Sequence, residues 1–314
     1  MKIKNKILSG LTAGILTLIS VTFSLSAADA EFIASKEDPR FRYTYIDQNQ
    51  QTVSIAANGN LTGNITIPSV IDGKKVTAIS EYGFSEQVKV TGITIPESVT
   101  KIDSFAFNNC TALKNVKIPD SVINMGTRPF VLTEYESVLE KNAGSDFVLI
   151  NDYILYKYIG NKVNIDIPDG VRVIAGSVFA YDEDINSIVC PDSVQYICEY
   201  AFWDCNHIKS ITFGNGITNI KLNSFTSADM AIYGYLGSYS QKFAQNNKYT
   251  FVPLMNYGDT RTEIIYTKDL RQYYFSDEKS FSRSGIKVCT RKYDGTLTEI
   301  PDWDFTSSPD KLYN

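Results

Sequence analysis

The sequence predicts a β-rich solenoid with a period of about 23 residues, followed by a small partial β-sandwich. Three observations predict it. The first is a recurring proline frame. Pro96 carries apolar residues three and one before it (Ile93, Ile95), three and six after it (Val99, Ile102), and an aromatic eleven after it (Phe107). The same frame holds at Pro119 (Val116, Ile118, Val122, Met125, Phe130), at Pro168 (Ile165, Ile167, Val171, Ile174, Phe179) and at Pro191 (Ile188, Cys190, Val194, Ile197, Phe202). Gly214 stands in for proline in the last copy, with Ile211, Phe213, Ile217, Ile220 and Phe225. The second is the aromatic ladder itself. Phe84, Phe107, Phe130 and then Phe179, Phe202, Phe225 step by 23 within each triplet, and the middle step is 49. The third is the stretch from Gly285 to Phe305, which alternates, turns at Asp294-Gly295 and alternates again, a hairpin signal.

One unit has a simple physical reading. In Ile-x-Ile both isoleucines point into the stack and the residue between points out. Proline cannot donate to a ladder and ends the strand. Asp-Ser, Glu-Ser or Asp-Gly then turns the chain, and Val and Ile pack a return segment that is irregular or 3-10. The aromatic closes the far side. Each unit buries one thin layer, so at least three must stack.

Taken in order, residues 1–30 read as a signal peptide. Lys2, Lys4 and Lys6 precede an apolar run, and Ala28-Asp29-Ala30 offers small residues to a peptidase cutting before Glu31. The alternative is a retained anchor, since the run is near spanning length. Residues 31–60 read as a capping hairpin. Phe41, Tyr43 and Tyr45 alternate with Arg42 and Thr44, and Thr52–Ile55 returns the chain. Residues 61–142 form the first repeat block. Its first copy carries an insertion, Ile71-Asp-Gly-Lys-Lys, read as an outward loop on an Asp-Gly turn. Val131–Asn142 breaks the frame and suits a short amphipathic helix.

Residues 143–254 hold a joint hairpin (Phe147–Ile150 and Tyr153–Tyr156), the second repeat block, and an exit cap with a helix at Ser240–Asn246 and a strand at Tyr249–Leu254. Residues 258–314 form the terminal β module. Gly285, Val288, Tyr293, Asp294, Gly295 and Thr296 resemble the recurring stretch of bacterial immunoglobulin-like modules. Fifty-seven residues are fewer than the ~100 a sandwich of that kind uses. The module is therefore expected to be incomplete, or the chain a portion of a longer product.

The IPDSV and IPESV units, the FVLINDYILYKY joint and the YGYLGSYSQKFAQNN cap together resemble BspA-type leucine-rich repeat proteins, the TpLRR class of exported bacterial proteins. The resemblance covers Phe41 to Leu254. It implies a leucine-rich repeat solenoid with one strand per repeat. It also implies a secreted or cell-surface role in adhesion and protein–protein contact, and it brings no catalytic residues.

Composition and motifs narrow the chemistry. The net charge is −5, and loss of the leader's three lysines and one aspartate makes the mature chain −7. Nothing in that balance favours nucleic acid or an anionic membrane. Five cysteines (Cys110, Cys190, Cys198, Cys205, Cys289) are too few and odd in number for a disulfide framework. Cys110, Cys190 and Cys205 fall on repeat-frame positions and read as small buried hydrophobes. A Cys190–Cys198 or Cys198–Cys205 bridge stays open. The single histidine, His207, sits in an inter-repeat turn and has no second histidine for a metal site. G-x-S-x-G, H-E-x-x-H, Walker A and G-x-G-x-x-G are absent from the sequence. Glu97, Asp120, Asp169 and Asp192 follow the proline position and read as turn caps rather than a calcium ladder.

The expectation is a non-enzymatic protein without cofactor or metal, binding a protein or glycan, with no membrane span after signal cleavage. The alternatives are the targeting portion of a larger exported enzyme and a structural spacer. The outward strand residues Thr66, Thr94, Lys117, Asp166, Val189 and Thr212 share a face and are the candidate ligand-facing set. Tyr196, Tyr200, Tyr233, Tyr235 and Tyr239 fall near non-core positions and could add contact surface.

Overall fold

The computed structural model describes residues 31–226, 229–257, 260–266, 286–291 and 297–299. The leader and most of the terminal module lie outside the described residues. The chain divides into two compact units, residues 1–122 with 129–137, and residues 123–128 with 138–314.

The first unit opens with β1 (Ile33–Ala34), β2 (Phe41–Tyr45) and β3 (Thr52–Ala57), an antiparallel cap as the alternation predicts. β4 (Thr62–Thr66), β5 (Val70–Ile71) and β6 (Lys74–Ile79) form the first coil, β7 (Lys89–Thr94) and β8 (Lys101–Ile102) the second, and β9 (Asn115–Lys117) begins the third. β4, β7 and β9 pair in parallel on one wall, and β3, β6 and β8 pair in parallel on another.

The second unit holds β10 (Asn124–Met125) and then, past the helix α1 (Glu134–Asn142), the hairpin of β11 (Phe147–Ile150) and β12 (Ile154–Tyr158). β13 (Asn164–Asp166), β14 (Val173–Ile174), β15 (Ser187–Cys190), β16 (Tyr196–Ile197), β17 (Ser210–Phe213) and β18 (Asn219–Ile220) alternate between two walls. β13, β15 and β17 make one wall, continued by β19 (Ala231–Tyr235) and, beyond α2 (Tyr239–Asn246), by β20 (Thr250–Tyr257). β12, β14, β16 and β18 make the other. β21 (Thr260–Tyr266), β22 (Ile286–Arg291) and β23 (Leu297–Glu299) then add antiparallel, one after another, to β20. β22 and β23 flank Asp294-Gly295, where the alternation places a hairpin.

The inward positions form the core. Ile93, Ile165, Ile188 and Ile211 are buried, as are the frame residues Val99, Ile102, Val122, Met125, Val171, Ile174, Val194 and Ile197. In the first unit the rings stack, Phe84 on Phe107 and Phe107 on Phe130, each with centroids 5.3 Å apart. In the second, Phe179 stacks on Phe202 at 5.3 Å and Phe202 on Phe225 at 5.0 Å. These spacings approach the ~4.8 Å separation of neighbouring strands, so one ring per coil fills each layer. After each proline a tight turn closes, with Val99, Val122, Val171 and Val194 donating to the carbonyls of Pro96, Pro119, Pro168 and Pro191. Gly214 replaces proline where its N–H donates to the Cys190 carbonyl at 2.9 Å, a bond proline cannot make.

Four features differ from the sequence reading. Each full coil has a strand on both walls, not one strand. The return segment is itself extended at the fifth and sixth residues after the proline position, as in Lys101–Ile102 and Val173–Ile174. Among the described residues only Leu222–Ser224 is 3-10. A two-residue strand shows no period, so the pattern could not announce it.

The corner before and after the ladder aromatic is left-handed. Tyr82, Phe105, Ser177 and Tyr200, two before it, have φ between 51° and 62°. Glu86, Asn109, Leu132, Tyr181 and Asp204, two after it, lie between 57° and 64°. This alternation aims the N–H groups of Tyr82, Phe84 and Glu86 at the carbonyls of Ser104, Ala106 and Asn108 in the next coil. Tyr181 and Phe202 donate likewise to Trp203 and Ser224.

The insertion in the first copy is not an outward loop. Val70–Ile71 pairs with Lys74–Lys75 in a two-residue hairpin whose turn residues, Asp72 and Gly73, both have positive φ. Ile71 is buried.

Lastly, the helix begins at Glu134, so Leu132 lies outside it and is 64% exposed, and Val138 is exposed as well. Its buried residue is Glu136. Thr133 Oγ1 accepts the Glu136 N–H at 3.0 Å, and Glu136 Oε2 accepts the Leu132 N–H at 3.3 Å. The Thr-x-x-Glu spacing of a capping box carried this in the sequence.

Candidate functional site

The six outward residues fall into two registers. On the first unit's β4–β7–β9 wall, Thr66 lies opposite Thr94 and Thr94 opposite Lys117. On the second unit's β13–β15–β17 wall, Asp166 lies opposite Val189 and Val189 opposite Thr212. Tyr233 and Val252 extend that second row. Thr66, Lys117 and Asp166 are exposed, and Thr94, Val189 and Thr212 are half-buried, while both sequence neighbours of each except Lys117 are buried. Beside Lys117 the inward Val116 is half-buried.

A second column on each wall stands two residues earlier. Asn64, Gly92 and Asn115 align in the first unit, and Asn164, Ser187 and Ser210 in the second. The Thr91 hydroxyl donates to Asn64 Oδ1 at 3.2 Å, and the Ser187 hydroxyl to Asn164 Oδ1 at 2.7 Å. Sequence reasoning missed this column, which is signalled by an Asn or Ser four before the proline position in every copy but that of Pro96, where Gly92 stands. Among the named tyrosines, Tyr196, Tyr200 and Tyr233 are half-buried, Tyr239 is exposed, and Tyr235 is buried.

His207 lines an open cleft of ≈ 400 Å³ in the second unit, with Glu183, Asp184, Asn186, Asn206, Ile208, Lys209 and Asp229. Its Nδ1 meets the Glu183 carbonyl, which ties two successive inter-coil turns together. No hydroxyl or thiol nucleophile belongs to that lining. Asp192, one of the post-proline acids, accepts the Asn215 N–H at 2.8 Å and so caps the turn of the next coil. Among the described residues no group of three His, Cys, Asp or Glu side chains is placed to hold a metal ion.

Cys110, Cys190, Cys198 and Cys205 are buried thiols outside any disulfide, so neither bridge left open by the sequence forms. Cys110 and Cys205 occupy equivalent frame positions and make the same contact. Their thiols donate to the ladder carbonyls one coil earlier, Phe84 at 2.9 Å and Phe179 at 2.8 Å. Burial pushes the Cys110 thiol up to about 11 and those of Cys190 and Cys205 up to about 12. Thiols so placed stay protonated and are not nucleophiles.

A stack of coils with paired parallel walls and one ladder ring per turn defines a repeat solenoid. Residues 77–145 and 148–251 match the family described as BspA type leucine rich repeat region (6 copies). The chain belongs to the BspA-type leucine-rich repeat family. Three solved structures show the likeness. One is the leucine rich repeat protein TpLRR of T. pallidum, with 21% identity over 68% of this chain and 95% of that one, at a TM-score of 0.33. Another is a leucine-rich repeat protein from Bacteroides ovatus, with 23% identity over 63% of this chain, at a TM-score of 0.31. This chain covers 55% of that one. The third is a leucine rich cell surface protein from Faecalibacterium prausnitzii, with 18% identity over 73% of this chain and 96% of that one, at a TM-score of 0.27. No curated protein matches the chain. Among the described residues no helix is long and apolar enough to cross a membrane.

Proposed function

We propose that this protein is an exported, cell-surface or secreted interaction module. It engages a protein or glycan through its outward strand faces and carries out no catalysis. The observation that supports this most is the register of the outward residues. Thr66–Thr94–Lys117 and Asp166–Val189–Thr212 each run across a wall whose inward neighbours are spent on the core. Repetition on a stacked scaffold gives such walls reach without any change in fold. In this reading residues 1–30 are a cleaved signal peptide, and the terminal strands belong to an immunoglobulin-like module that spaces or anchors the repeats.

The test is an array of proteins and glycans probed with the full-length chain and with two surface variants, Thr94→Arg with Lys117→Glu, and Val189→Arg with Thr212→Arg. A saturable ligand whose affinity falls about tenfold or more in one variant is the expected result, the scale of one lost contact cluster. Turnover of a glycan or peptide substrate, abolished by a point substitution, would overturn the reading. So would ligand binding that neither variant changes.

A further inference from the structure

The Asp-Gly hairpin of the first coil reaches back to the N-terminal segment, and the contact is dense. The Asp72 carboxylate accepts the Ser35 hydroxyl at 2.8 Å, the Lys36 N–H at 3.0 Å and the Glu37 N–H at 3.0 Å. The Glu37 carboxylate returns the contact, accepting the Asp72 N–H at 2.8 Å. Ser35 is buried and also accepts the Asp38 N–H at 3.0 Å. Successive N–H groups with a hydroxyl beside them make an anion-binding concavity, and here one of the chain's own side chains fills it.

What this contact holds is the edge of a sheet. β1 is the outermost strand, and it covers Arg42 and Tyr43 of the five-residue β2. The Ser35 N–H extends the pairing to the Phe41 carbonyl, and the Phe41 N–H donates to Asp38. Phe32 lies under the Arg42 guanidinium, 4.5 Å from ring centroid to cation. Ile33 and Ala34 are themselves exposed, so their burial contributes little to keeping β1 in place. An uncovered strand edge invites pairing with another chain.

We propose that Asp72 is a latch holding β1 over the edge of β2, and that neutralising its carboxylate opens that edge while leaving the coils intact. The groups facing it are Lys36 and Glu37 from the N-terminal segment and the Tyr43 hydroxyl from β2, with Tyr45 beside Tyr43. Its own hairpin carries Lys74 and Lys75. The hydrogen bonds from Glu37, Lys36, Ser35 and Tyr43 hold the Asp72 carboxyl below the usual carboxylate range. A carboxyl with a depressed folded-state pKa stabilises its partner above the unfolded value of ~3.9, and that contribution is lost as pH falls through the folded value. The latch is therefore closed at neutral pH and opens only in acid below about pH 4.

The test is backbone hydrogen exchange on the full-length protein, expressed as protection factors so that intrinsic pH effects cancel. Asp72→Asn keeps a residue that tolerates the left-handed turn but removes the charge. At pH 7 it should lower protection of residues 34–37 and of Phe41 by about tenfold, the scale of losing charge-assisted bonds. Protection of the β3–β6 ladder should not change. The wild-type protein should lose the same segment's protection as pH falls below about 4, ahead of the β3–β6 ladder. Glu37→Gln, whose side-chain carbonyl still accepts the Asp72 N–H, should behave as wild type. Unchanged protection at residues 34–37 in Asp72→Asn would overturn the latch. So would equal loss across β3 and β6, or a loss in Glu37→Gln as large as in Asp72→Asn.

Discussion

The two ring stacks are built alike in the middle and differently at the ends. In the first unit Phe41 meets Phe84 edge-on at 6.2 Å from the entry cap, and Tyr135 meets Phe130 edge-on at 5.1 Å from the helix that follows. In the second, Tyr158 of the joint hairpin tilts onto Phe179 at 5.4 Å, and Phe243 and Tyr249 close on Phe225 at 6.0 and 6.2 Å. A coil in the middle finds its next layer in a copy of itself. A terminal coil must be given one, and each end is closed by aromatic side chains from a segment that does not follow the repeat. The difference shows that the frame specifies propagation but not termination. Stability of the stack rests on both.

Removing a middle ring should be the largest effect and the same in both units. Phe107→Ala and Phe202→Ala each delete a fully buried ring with a stacked partner on either side. Each is expected to cost about 3–5 kcal/mol in denaturant unfolding, because the neighbouring rings belong to rigid coils and cannot close the cavity. A cost in one unit less than half that in the other would break the equivalence of the two stacks.

Termination should separate them. In the first unit the row of N–H groups aimed along the stack ends at Leu132, and the buried Glu136 carboxylate receives it. In the second, α2 is capped by Ser238, whose hydroxyl accepts the Gln241 N–H at 3.3 Å. Glu136→Ala leaves a donor without its acceptor and should destabilise by about 1–3 kcal/mol. Ser238→Ala loses an ordinary helix cap, worth about 1 kcal/mol. Denaturation midpoints that reverse this order would mean the carboxylate is less important than its burial suggests.

The same division decided what could be read beforehand. Inward positions such as Ile165, Ile167 and Phe179 were legible because burial on one side of a strand forces an alternation that composition records. The alignment of Thr66 with Thr94, and of Asp166 with Val189, followed from that frame. The corners were not legible. Tyr82 and Tyr200 adopt a backbone that local preference denies to aromatics, and their N–H groups are tied to the next coil, at the Ser104 and Asn223 carbonyls. The Asp72 contact was hidden for a related reason. Asp-Gly announces a turn, but the turn's carboxylate is held by residues 35 positions away in sequence, which no local pattern encodes. Tyr235 falls near a non-core position by its spacing, yet it is buried where β19 packs beside α2.

The smallest effect tests whether the corners are strained by the stack. Leu132 and Tyr181 stand at equivalent positions, two residues after Phe130 and Phe179, with φ of 62° and 64°. Leu132 is 64% exposed and Tyr181 49%. Left-handed backbone costs a side-chain-bearing residue about 1–2 kcal/mol, a cost glycine escapes. Against this, glycine gains freedom in the unfolded chain, worth about 0.5–1 kcal/mol. Leu132→Gly surrenders little buried surface, so the relief should prevail, raising stability by about 0.5 kcal/mol. Tyr181→Gly also gives up the covered half of its ring, which offsets the relief and leaves the change near zero. Paired denaturant titrations resolve differences of this size. Clear destabilisation by Leu132→Gly would mean that the side chain, and not the N–H bond to Glu136, holds the corner in its left-handed form.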